Sequence, residues 1–172
     1  ESGNIYAAGE NHASWNGPDG EAPLNDLAGN HDICVVRFNG DGGYQWHTFY
    51  GGDGNLNGDL AKSLALDGLG NVFVGGRSMD PWDGPEGEKP LNSHSGRNDI
   101  CVIKVDTDGN YIWHSFYGSS GAGPGDFGRS IFANGADIFL TGESGNPWDG
   151  PQNQAPINAH TGKDGNDMFV LK

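Results

Sequence analysis

Apolar and polar positions along this chain recur as a repeated text. Asp99 to Gly118 reads as two short strands joined by a turn: the apolar run Asp99–Val105, the turn residues Asp106 to Asn110, and the aromatic-rich run Tyr111–Tyr117. β-branched and aromatic runs bounded by Asp, Gly and Asn are the sequence form of a β-hairpin. The same hairpin stands earlier over Asp32 to Gly51, and its first half returns as Asp167 to Lys172. Another run, Asn4–Gly9, comes back as Asn71–Gly76 and Asp137–Gly142, at a spacing of roughly 67 residues. Ala61–Leu66 and Gly128–Ala133 supply one further short strand per period.

Ten strands follow from this reading, in two full periods and a half. Four short strands per period, with turns between them, predict β-propeller blades of four antiparallel strands. Strands covered on both faces by neighbouring blades should read as continuous apolar runs, as Val72-Phe73-Val74 does. The expected fold is thus all-β: about two and a half blades, forming an incomplete ring. As a single segment it divides into a partial blade over 1–58, a full repeat over 59–125 and a partial repeat over 126–172. A β-solenoid has a shorter period, and a sandwich does not repeat every four strands.

Composition narrows the function more than the fold. The 172 residues include 31 Gly and 9 Pro, yet 34% are apolar, and the glycines fall between the apolar runs as turn punctuation. No apolar run approaches the ~20 residues of a membrane helix, so no membrane insertion is expected. The balance of 23 acidic against 9 basic residues, a net charge of −14, argues against nucleic acid as a partner, since its backbone needs clustered Lys and Arg. Cys34 and Cys101 occupy matching places in two copies of one strand, a separation that argues against a disulfide. Both read as small buried hydrophobes. The chain opens at Glu1 with no signal-peptide pattern and is expected to be a processed or excerpted piece of something longer.

The blocks Gly70-Asn71-Val72-Phe73-Val74-Gly75-Gly76, Trp82–Pro85, Asp99–Val105, Asp108–Trp113 and Ser115–Gly118, followed by Asp126 onward, together resemble the bacterial β-propeller repeat abbreviated SBBP. The likeness runs through essentially the whole chain. It departs in the long, acidic loop between the second and third strands and in the Cys of the third strand. The resemblance implies an exported or cell-surface protein in which the propeller is a binding or display module. It carries no catalytic residues to transfer.

Candidate chemistry centres on that long loop. Its core recurs as Trp15-Asn16-Gly17-Pro18, Trp82-Asp83-Gly84-Pro85 and Trp148-Asp149-Gly150-Pro151, with a second proline at Pro23, Pro90 and Pro156. Trp15, Asn16, Trp82, Asp83, Trp148 and Asp149 are the candidate ligand-binding residues, a ring for the face of a sugar beside polar groups for its hydroxyls. The alternative is that each Trp packs onto its own blade and pins the loop. In the middle copy Asp80, Asp83, Glu86 and Glu88 offer the hard oxygen ligands that Ca²⁺ takes, though the other copies do not reproduce the set. Asp106 to Asn110 resembles an EF-hand opening but lacks its later ligands, and a hairpin turn explains it.

The remaining polar residues read as structural. His47 and His114 share one strand position, His94 and His160 share one loop position, and His12 and His31 have no histidine counterparts. Ser63 and Ser130 have no Gly-x-Ser-x-Gly elbow around them. Asp59 and Asp126, in Gly-rich links, are expected to cap turns.

The function these features predict is a non-catalytic extracellular or cell-surface module for structural display, assembly or protein recognition. Its expected partners are further blades of the same longer chain or neighbouring copies. The alternative is a lectin-like module that binds glycans through the Trp loops. No cofactor is implied beyond the candidate Ca²⁺.

Overall fold

A computed structural model describes residues 3–54, 58–121, 123–161 and 165–172. Ten strands form in the order β1 (Ile5–Asn11), β2 (Asp32–Phe38), β3 (Tyr44–Tyr50), β4 (Leu60–Leu66), β5 (Asn71–Ser78), β6 (Asp99–Asp106), β7 (Tyr111–Tyr117), β8 (Asp126–Asn134), β9 (Asp137–Ser144) and β10 (Asp167–Leu171). All pairs between neighbouring strands are antiparallel, and they make three sheets: β1-β2-β3, β4-β5-β6-β7 and β8-β9-β10. The expectation of an all-β chain holds at this level. Among the described residues there is no α-helix, only a short 3-10 turn over Pro151–Asn153. No helix of the described residues is long and apolar enough to cross a membrane.

The hairpin turns form for local reasons. Asp106 Oδ1 accepts the backbone N–H of Asp108 and Asn110, at 2.8 and 2.9 Å, and Gly109 takes φ +85°. A short acceptor side chain followed by a residue free to adopt positive φ closes a tight turn at little cost. The Asp106 carboxylate is thereby committed to its own turn. In the first copy Asn39 and Gly42 (φ +82°) do the same.

The four-stranded sheet lies between the other two and is apolar on both faces. Val72 and Val74 of β5 and Cys101, Ile103 and Val105 of β6 pack with Ile33, Val35, Trp46 and Tyr50 of the first sheet. Phe73, Ile100 and Val102 point the other way and pack with Ile131 and Leu140 of the third. Alternation along a strand sends successive side chains to opposite faces, so double coverage requires the continuous apolar text of β5 and β6. Cys34 and Cys101 are both buried and free.

The register explains the basic residues near the inner strands. β4 is irregular between Ala61 and Ser63, and β8 between Gly128 and Ser130. The extra residues at these matching irregularities, Lys62 and Arg129, are both exposed.

Candidate functional site

Polar networks recur at the long loops, and the middle sheet carries the fullest copy among the described residues. In the middle sheet the indole of Trp82 lies on the imidazole of His114, with centroids 3.9 Å apart and planes 8° from parallel. His114 is fully buried; its Nε2 lies 2.9 Å from Trp82 O and its Nδ1 2.6 Å from the Tyr111 hydroxyl. The carbonyl can only accept, so Nε2 carries the proton and Nδ1 accepts from tyrosine. Burial holds the His114 pKa below its ordinary value. The first sheet repeats the arrangement: Trp15 stacks on His47 at 3.7 Å, with Trp15 O and the Tyr44 hydroxyl as the imidazole's partners.

A serine anchors the other edge of the indole. Trp82 Nε1 donates to Ser78 Oγ at 3.2 Å, and Ser78 Oγ lies 2.7 Å from Asp80 O and in short contact with Asp59 Oδ1. Ser78 has one hydroxyl proton for two acceptors, Asp59 Oδ1 and Asp80 O. A proton on the Asp59 carboxyl group satisfies both contacts, the carboxyl donating to Ser78 Oγ and the hydroxyl to Asp80 O. Burial pushes the Asp59 pKa up to about 7, which favours that proton below neutral pH. The third sheet repeats the node with Ser144, Asn146 O, Trp148 Nε1 and Asp126, whose pKa burial also raises. Asp59 and Asp126 do accept backbone N–H groups, from Gly52 at 2.9 Å and Ser119 at 2.7 Å. They are more than turn caps, however: each is a buried member of a Ser–Trp network. His94 and His160 complete the base, with Nε2 at 3.2 Å from Ser78 O and 3.1 Å from Ser144 O.

The candidate ligand residues take different places. Trp82 is 7% exposed, while Trp15 and Trp148 are half-buried. Asn16, Asp83 and Asp149 are exposed, each just before a turn in which the following glycine donates to Glu21 O, Glu88 O or Gln154 O at 2.7–2.8 Å. Among the four acids considered for Ca²⁺, Asp83 faces Lys89 Nζ at 2.6 Å and Glu88 Oε2 accepts the Glu86 N–H at 3.0 Å. The Asp80 carboxylate lies against Gly54.

Among the described residues, the group that gathers three metal-type ligand atoms within 4.8 Å of one another lies elsewhere: Glu10, His12 and His31. His31 Nδ1 is 2.5 Å and His12 Nε2 3.2 Å from the same oxygen, Glu10 Oε1. Sequence reasoning left these residues apart because they span the first long loop and the two histidines have no histidine counterparts in the other copies.

No family model matches the chain. It is 30% identical over 116 residues to "Regulatory protein FlaEY" of Caulobacter vibrioides. That alignment takes in 67% of this chain and 11% of the FlaEY length.

Proposed function

We propose that the chain is a run of β-propeller blades, of the SBBP type, acting as a non-catalytic extracellular or cell-surface module for structural display, assembly or protein recognition. One comparison carries the reading. Ile100 and Val102 of the middle sheet are 0% and 5% exposed; Met168 and Val170, at the same positions of the third sheet, are 84% and 67% exposed. The same apolar text is covered where an equivalent sheet lies beside it and bare where none does. The outer face of the first sheet repeats the pattern, with Ile5 half-exposed at the position of the buried Val72. Exposed sheet faces of this kind mark an interface. Because the two bare faces correspond to opposite faces of the middle sheet, they complement each other, and association through them is head-to-tail.

The partners under this reading are further blades, of a longer chain or of neighbouring copies. A match to a small part of a much longer regulatory protein fits a module that recurs inside larger chains. The Trp loops read as pins of the fold, since Trp15 and Trp82 each give a ring face to His47 and His114, and Trp82 is buried. Light scattering on the 172-residue chain tests the proposal: concentration-dependent association that Met168→Lys with Val170→Lys abolishes is expected. A stable, well-folded monomer at high concentration overturns it.

A further inference from the structure

The long loop of the first sheet differs from the other two. Its base lacks the serine and histidine pins of the other two: Asn11 stands at the Ser78 position, donating to Ala13 O at 2.7 Å, and Leu27 stands at the His94 position. At this base alone do Glu10, His12 and His31 converge; the middle copy has Arg77, Met79 and Asn98 there. Two imidazole nitrogens and one carboxylate oxygen are a zinc ligand set, and tetrahedral bonds of ~2.0–2.2 Å place ligand atoms about 3.3 Å apart. The 3.2 Å between His12 Nε2 and Glu10 Oε1 meets this, and the 2.5 Å of His31 Nδ1 needs less than an ångström of opening. The charged groups facing the set are Arg77, which feels Glu10, and Asp32, which feels His31.

The geometry points to a divalent transition-metal site of the Zn²⁺ class that ties the end of β1 to the start of β2. Calorimetric titration with ZnCl₂ in chelator-free buffer is expected to give one saturable site, weakened at least tenfold in His12→Ala and in His31→Ala and unchanged in His94→Ala. His12 is exposed, so its variant folds. Loss of neither affinity nor zinc-induced thermal shift in these variants, or no saturable binding at all, overturns the assignment.

Discussion

Trp82 and His114 are 32 positions apart in the chain and lie ring on ring at 3.9 Å, closing the long loop of the middle sheet over its last strand. The imidazole is held at both nitrogens, and alanine there leaves Trp82 O and the Tyr111 hydroxyl without their partner while opening a cavity beneath the indole. His114→Ala is expected to cost about 2–4 kcal/mol, the sum of a lost buried hydrogen-bond pair and a packing defect. Urea unfolding monitored by far-UV circular dichroism measures it. A cost below about 0.5 kcal/mol, the level of an ordinary surface change, would remove the loop-pinning role.

Asp59 makes the fold prefer a protonated carboxyl. Its pKa is raised to about 7 by burial, against about 3.9 when unfolded. Between those values the folded state holds the extra proton, so this contribution is complete below pH ~4 and is lost as pH rises through ~7. The size is on the order of 2–4 kcal/mol. His114 acts in the opposite sense, since its lowered pKa withdraws stability as pH falls below ~6.5. Asp59→Asn isolates the first effect, because the amide can donate permanently to Ser78 Oγ. The stability of wild type relative to Asp59→Asn is expected to decline from pH 4 to pH 7; a flat difference means that Asp59 is ionised throughout.

All ten strands were legible because each copy confirms the others. A run such as DICVIKV is ambiguous alone, but recurring next to the same turn and the same aromatic strand it is not. The networks were less legible. Asp59 read as a turn cap, since nothing in one copy says that Ser78, 19 residues further on, comes into contact with it. The missed signal was joint recurrence: Trp15 with His47 and Trp82 with His114 share one offset. Glu10, His12 and His31 gave no such signal, because a cluster present in one copy has nothing to recur with.

Glycine at the inner end of β5 permits a close strand approach. A Cβ built on Gly76 falls on the Leu60 carbonyl oxygen of β4, and one on Gly142 falls on Phe127 O of β8. Gly9, the equivalent residue of β1, meets nothing within 4 Å, because β1 has no strand on that side among the described residues. Gly76→Ala is therefore expected to destabilise by about 2–3 kcal/mol, since backbone must move, whereas Gly9→Ala is neutral or slightly stabilising through the unfolded chain. Thermal melts of the two variants decide it, and equal effects would contradict the register of β4 on β5.

The two thiols should report different openings of the molecule. Burial pushes the Cys34 pKa up to about 11 and that of Cys101 well above its ordinary value, so neither supplies thiolate in the folded state near neutral pH. Their covers differ. Cys34 lies on the outer face of the first sheet with the Trp15 side chain as its partner, whereas Cys101 is enclosed between the first sheet and the middle one. Opening one loop exposes the first thiol, but separating two packed sheets is needed to expose the second. Disulfide-exchange labelling at mildly alkaline pH is thus expected to modify Cys34 first, with Trp15→Ala accelerating Cys34 and leaving Cys101 unchanged. Local openings cost less free energy than global ones, and the gap between the two rates measures how firmly the sheets hold together beyond the loop. Simultaneous labelling of both thiols, in wild type and in Trp15→Ala, would instead mean that the first loop and the sheet interface unfold as one unit.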